Sequence, residues 1–332
     1  MTNNDINEVW SGRADPEDGD DGLRLHQVVQ AYSNAVAPGG TTLIGFASDL
    51  GVQHNQGRVG AQAGPQALRS ALANIAWHGA SPVYDAGNIT VADNTEVDAL
   101  SDAQTDYATA VYNALCNQQF VLGLGGGHEI AWGSYQGCRH YLDHCGKHKS
   151  RIGILNFDAH FDLRKPPVDA PWAGSSGTPF YQVAQDCAAR ELPFKYACLG
   201  VSRTANTRAL FNTADKLKVP YLLDSDFNRS TSESLINQFI AEIDYLYVTV
   251  CLDALPASVA PGVSAPAANG VRLTDLLASL TMVSDACDKH SVRWLMADIA
   301  ELNPKYDIDQ RTAKTAARIV YDIIELNLKA PI

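Results

Sequence analysis

The chain has 332 residues, 46% hydrophobic and 19% charged, a globular composition with ample material for a large core. A formal net charge of −12 argues against nucleic acid or an anionic membrane as partner, because both need a basic face. Seven scattered cysteines without a Cys-x-x-Cys pair, a polar Met1–Trp10 stretch and no apolar run near ~20 residues predict a soluble, cytoplasmic protein without disulfides or a membrane span.

Residues 1–40 form a polar N-terminal extension, with Asp15–Asp21 expected as a solvated loop and a helix expected near 23–35. Thr41–Phe46 is an apolar run, followed by a glycine-rich loop, Gly51–Gly64, and a helix from Pro65 to about Trp77, since proline suits the first helical turn. Further strands are expected at Pro82–Ile89, Phe120–Leu124, 151–157, 196–201, Tyr221–Leu223, Tyr245–Leu252 and 292–300. Apolar residues at helical spacing cover 97–116. Other helices are expected up to His144, near 180–190, from a Thr204 cap to about 215, after Ser230-Thr-Ser-Glu233 as a capping box, at 272–287, and from about Asp309. Tyr245–Leu252 is continuously apolar and β-rich, as in a central parallel strand buried on both faces. Eight strands alternating with helices, without a linker, predict one α/β domain over 1–332. The expected form is a three-layer sandwich, a mainly parallel eight-stranded sheet with helices on both faces. A closed barrel of eight units is the alternative.

In open parallel sheets, sites form at the carboxyl ends of strands. Four predicted strands end in polar groups: Gly125-Gly-Gly-His128, Asp158-Ala-His160-Phe-Asp162, Cys251-Leu-Asp253, and Asp298 with Glu301. If the chain stays extended past 157, Asp158, His160 and Asp162 share one side. Such charges cannot sit unpaired in an apolar setting, and divalent cations would compensate them; a solvated acidic turn is the plain alternative. Carboxylates with imidazoles suit Mn, Mg, Zn or Fe, and this many acids balance two ions better than one.

Gly125-Gly-Gly-His128-Glu129, Asn156-Phe-Asp158-Ala-His160-Phe-Asp162, Leu252-Asp253 before Ala260-Pro-Gly262, Gly60–Arg69 and Asp298–Pro304 resemble the arginase/agmatinase (ureohydrolase) family. Trp10-Ser-Gly-Arg13, Ser175-Ser-Gly-Thr-Pro-Phe180 and Ala260–Pro266 resemble its formimidoylglutamase branch. The resemblance implies two Mn²⁺ per chain, with His128, Asp158 and Asp162 on one, His160 and Asp253 on the other, and Asp158 bridging. It implies that a metal-activated hydroxide cleaves N-formimidoyl-L-glutamate into L-glutamate and formamide, a step of histidine degradation. Asp162 would carry the proton and Glu301 would hold the amidine. It also implies a homo-oligomer. Arg203, Ser176 and Thr178 are candidates for the substrate carboxylates, Arg203 because it follows a strand end and offers a bidentate fork. The family has an aspartate where this chain has Cys251. A thiolate is softer and prefers Zn or Fe, so a thiolate-bridged pair, a single ion and an empty, non-catalytic site all stay open. An agmatine-type or guanidino-acid ureohydrolase is the other enzymatic alternative.

Two signals are set aside. His140, His144 and His148 share a helical face, but the following Gly146 and basic run suggest a fraying end. Gly123–Gly127 lacks the spacing and the lysine of a phosphate loop. Gly57, Gly60 and Gly64 are expected to serve turns, with His54 and Arg58 of the same loop exposed.

Overall fold

The computed structural model describes residues 6, 8–79, 81–91, 98–166 and 174–328. Most of Met1–Trp10 and the middle of the 163–179 loop lie outside the described residues. The strands are β1 (Val29–Ala31), β2 (Thr41–Ala47), β3 (Val83–Thr90), β4 (Phe120–Gly125), β5 (Ile152–Phe157), β6 (Lys195–Val201), β7 (Tyr221–Leu223), β8 (Tyr245–Cys251) and β9 (Arg293–Ala300). They form one nine-stranded sheet in the order β1-β3-β2-β4-β9-β8-β5-β6-β7, and every pairing is parallel. The two ends do not pair, so the sheet is open and the barrel alternative falls.

The eight predicted strands are present, and β1 is the addition. The helix expected over 23–35 is only α1 (Leu25–Val28). The chain then extends because the free edge of β3 offers backbone partners, with Val29 beside Val83 and Ala31 beside Asp85. Tertiary pairing here overrides local helical spacing.

The remaining helices are α2 (Leu50–His54), α3 (Gly64–Ala73), α4 (Ala99–Cys116), α5 (Ile130–His144), α6 (Pro179–Ala189), α7 (Arg208–Lys216), α8 (Arg229–Ile240), α9 (Leu273–His290) and α10 (Arg311–Leu328). Alternation along the strands sorts them into two layers. Leu246, Val248 and Val250 of β8 join Leu122, Leu155 and Phe157 on one face, against α3, α8, α9 and α10. Tyr245 and Tyr247 join Val121, Ile154 and Tyr196 on the other, against α4, α5, α6 and α7. Two helix starts differ from expectation. α8 is capped by Asn228, whose side chain accepts from the Ser230 and Thr231 backbones, with Thr231 closing the box in place of Ser230 and Glu233. α7 begins after Thr207 rather than Thr204.

A buried ion pair ties the N-terminal segment to the sheet edge. Arg69 on α3 grips Asp85 of β3 with a fork of 2.7 and 2.8 Å, and Trp10 Nε1 donates to the same carboxylate at 2.7 Å. Both charged side chains are at most 1% exposed. Removing one partner would strand the other charge. Asp85→Ala should therefore cost about 3–5 kcal/mol in urea unfolding. A loss below about 1 kcal/mol would show the pair to be dispensable.

Candidate active site

β4, β9, β8 and β5 are consecutive in the sheet, and they are the strands whose tips carry the polar groups. Register sets their ends level: Leu124 faces Ile299, Cys251 faces Ala300, and Val250 faces Phe157. The triple glycine after β4 lets the chain pass under the β2 end, since a Cβ on Gly126 would lie 1.8 Å from the Ser48 carbonyl oxygen. Glu301 N then donates to Gly126 O at 2.8 Å, and His128 N donates to Glu301 Oε1 at 2.9 Å, joining two tips directly.

β5 stops at Phe157, so Asp158, His160 and Asp162 are not aligned by strand alternation as expected. A bend brings them together instead. His160 N donates back to Asp158 Oδ1 at 2.7 Å, and Asp162 sits at a φ of 47° in the left-handed region. Glu301 also lies there, at 70°. Side chains rarely adopt this backbone, and it persists where surrounding structure fixes it.

Two groups of side chains could hold cations, and they share Asp158. In one, ligand atoms of His128, Asp158 and Cys251 lie within 4.8 Å of each other; in the other, those of Asp158, His160 and Asp253 do. His128 Nδ1 is 2.9 Å from both Asp158 Oδ2 and Asp162 Oδ2, yet it is angled for a hydrogen bond with neither. Thr249 Oγ1 stands 3.0 Å from His128 Nε2. With a proton on Nε2 shared with Thr249, the Nδ1 lone pair would be available to a cation; without one, the flanking carboxylates favour a second proton on Nδ1. His160 Nδ1 is 3.1 Å from Asp253 Oδ2. Asp253 Oδ1 and Glu301 Oε2 are buried without a hydrogen-bond partner. Asn156 donates to Asp158 Oδ2 at 3.0 Å and so orients the shared carboxylate. Orphaned buried oxygens, a lone imidazole nitrogen and converging acids are what divalent cations satisfy.

Electrostatics agree. Burial opposes a charge on Asp158, but the neighbouring imidazoles outweigh it and hold that carboxyl far below the usual range. Burial likewise opposes charge on His128 and His160, yet the surrounding acids raise both well above the ordinary histidine value. Burial, reinforced by Asp158, pushes Asp162 up to about 6. Burial, reinforced by Glu129 and Asp253, pushes Glu301 up to about 8. Burial with the charges of Asp158, Asp253 and Glu301 drives the Cys251 thiol well above the usual cysteine value, so only a cation would make it a thiolate.

A cavity of about 300 Å³ opens onto this floor and is lined by His128, His160, Asp162, Cys251, Asp253 and Glu301. A larger cavity, about 540 Å³, lies at the amino ends of β2, β4 and β9. Asp288 and Arg293 line it, but among the described residues no cluster of ligating groups converges there, whereas two do at the smaller one. Of the substrate candidates, Ser176 lines the smaller cavity and accepts from Asn55 Nδ2 at 3.2 Å. Thr178 does not: its hydroxyl accepts from Ser175 N at 2.9 Å and lies 3.1 Å from Ser175 O and 3.0 Å from Gln182 Oε1. Arg203 is exposed and is not among the cavity residues, so its position lends nothing to the expected carboxylate contact. Asp298 also turns away and accepts from Tyr247 and Ser134 in the core. Arg58, Arg164, Asn55 and Ser264 line the cavity, and sequence reasoning did not assign them. No sequence period marks these loop residues.

A model of the arginase family matches residues 40–325. The chain belongs to the arginase family. It is 46% identical over 322 residues to the formimidoylglutamase of Vibrio cholerae, covering 95% of this chain and 93% of that one. It is 48% identical over 315 residues to the formimidoylglutamase of Hahella chejuensis, with 94% and 93% covered. Among solved structures it superposes on Trypanosoma cruzi formiminoglutamase with Mn²⁺ at a TM-score of 0.80 and 22% identity, covering 94% of this chain and all of the other. Arginase from Bacillus subtilis gives 0.69 at 23% identity, with 86% and 98% covered. At these identities the two superpositions establish the fold.

The pKa directions give a pH test. His128, His160, Asp162 and Glu301 hold protons in the folded chain above the pH at which they lose them unfolded. Stability must then fall as pH rises wherever the folded state binds more protons. Chelator-treated protein should show a thermal midpoint that drops from pH ~6 to pH ~9, while Mn²⁺-treated protein should hold its midpoint, because a cation replaces those protons. Identical pH profiles with and without the ion would contradict the assignment.

Proposed function

We propose that the chain hydrolyses N-formimidoyl-L-glutamate to L-glutamate and formamide. The observation that carries this is the pair of ligand groups sharing Asp158 beneath Glu301, in a chain 46% to 48% identical to formimidoylglutamases. We assign His128, Asp158, Asp162 and Cys251 to one cation and Asp158, His160 and Asp253 to the other. Mn²⁺ is the ion we favour, because the Trypanosoma cruzi formiminoglutamase was solved with it and the donors are mostly hard oxygens and imidazole. When bound, such ions would bring the pKa of water toward ~7 and offset the repulsion among the acids.

The chain's own groups supply the rest. Glu301 faces the cavity with one unpaired oxygen, and a cationic amidine there would restore its charge and gain a charge-assisted hydrogen bond. Asp162 lines the cavity floor with its carboxylate 2.9 Å from His128 Nδ1, and it would take a proton from water and return it to the departing amine. The water oxygen bonds to the formimidoyl carbon, the bond from that carbon to the glutamate nitrogen breaks, and the nitrogen leaves with the proton. We also place the chain in histidine degradation and in the cytoplasm. The substrate supports the first and seven free cysteines the second; no helix among the described residues is long and apolar enough to cross a membrane.

Protein reconstituted with Mn²⁺ should release formamide from N-formimidoyl-L-glutamate and no urea from agmatine or guanidino acids; the reverse outcome would assign it to the ureohydrolases. Asp158→Ala should lower turnover by roughly 10³-fold or more with the circular dichroism spectrum kept, since several kcal/mol of charge stabilisation go with the ions.

Cys251 favours a second reading, a metal-poor member without turnover. Cys251→Asp separates them: it should raise Mn²⁺ per chain and raise turnover, since a hard bridging oxygen replaces a buried thiol. Equal or lower metal content would mean that the thiol is the better ligand here.

A further inference from the structure

The cavity has a charge division that the hydrolytic chemistry does not require. Its floor is acidic, with Asp162, Asp253 and Glu301. Its lining also includes two cations, Arg58 and Arg164, neither of which pairs with those acids among the described residues. Arg58 is locked. Its Nε donates to Ser264 O at 2.9 Å, one terminal nitrogen donates to Val263 O at 2.6 Å, and its guanidinium lies 4.1 Å above the Tyr306 ring. Neither carbonyl neutralises the charge, and Nη1 makes no hydrogen bond among the described residues. Arg164 is seated by its stem. Its backbone N donates to Gly177 O at 2.9 Å, and a Cβ on Gly177 would fall 2.8 Å from Arg164 Cδ and 3.1 Å from Asn55 Nδ2. Only glycine lets the arginine stem and the asparagine share that rim. The Arg164 guanidinium pairs with no carboxylate among the described residues.

We propose that Arg58 and Arg164 are the specificity-determining residues of this site, each taking one carboxylate of a dicarboxylate amidine. This inference rests on the hydrolase reading above and names what sets its substrate. A guanidinium fork matches a carboxylate; Arg58, held by two carbonyls, loses little freedom on binding, whereas Arg164 is exposed and seated only along its stem. The same pair repels a substrate whose far end is cationic, such as agmatine, so the rim discriminates by charge as well as by contact. Asn55 and Ser176, hydrogen-bonded to each other beside Arg164, offer neutral partners for the remaining lone pairs.

The test compares N-formimidoyl-L-glutamate with two analogues, N-formimidoyl-L-glutamine and N-formimidoyl-γ-aminobutyrate, each lacking one carboxylate charge. The wild type should prefer the dicarboxylate to both. Arg164→Gln should raise KM for the dicarboxylate by roughly 10- to 100-fold, with kcat within about threefold, and should lose the preference over one analogue. Arg58→Lys, which keeps the charge but breaks the fork, should weaken the preference over the other. Titration of L-glutamate into the Mn²⁺-treated protein, read by calorimetry, tests the pair without turnover. Both variants should bind it at least about tenfold more weakly. If wild type cleaves no formimidoyl compound while the variants still weaken L-glutamate binding, the arginine pair stands and the hydrolase reading falls. If turnover is present but neither variant alters the preferences or the L-glutamate affinity, the pair is overturned.

Discussion

Mutual repulsion among desolvated acids is the constraint on which this molecule turns. Asp158, Asp162, Asp253 and Glu301 are brought to one small region where water screens little, and only two imidazoles stand among them. No local preference would assemble such a group. It holds because β4, β9, β8 and β5 are buried on both faces, and the packing of two helical layers fixes where their tips must be. The left-handed backbones of Asp162 and Glu301 belong to the same account: each costs conformational energy, and each aims a carboxylate that an extended chain would send elsewhere.

What could be read from the sequence follows from this division of labour. A strand buried on both faces must be apolar throughout, so a charged residue at its end is conspicuous. That is why His128, Asp158, His160, Asp162, Asp253 and Glu301 stand out in the sequence; the structure brings them together, whereas Asp298, picked by the same rule, turns into the core. The order of the strands could not be read, because β8 and β9 insert between β4 and β5 through contacts distant in sequence. Nor could β1, three residues long and defined wholly by the edge it joins.

The rim was less legible than the floor. Arg203 follows a strand end, as a good candidate should, but it is exposed, and from its loop Ala205 rather than Arg203 lines the cavity. Thr178 sits in the right loop and spends its hydroxyl on that loop's own turn. Sequence alone makes Arg58 an exposed loop residue, whereas two carbonyls more than 200 positions away hold it. Loop side chains acquire their roles from partners that the sequence does not place beside them, so spacing rules cannot select among them.

Cys251 shows how far the scaffold and the chemistry can vary apart. Cys251 ends β8 level with Ala300, is buried, and brings its thiol within 4.8 Å of ligand atoms of His128 and Asp158. Aspartate there would bring one more buried negative charge into a cluster already short of compensation. A neutral thiol relieves that repulsion in the metal-free chain, and a cation could still recruit it by making it a thiolate.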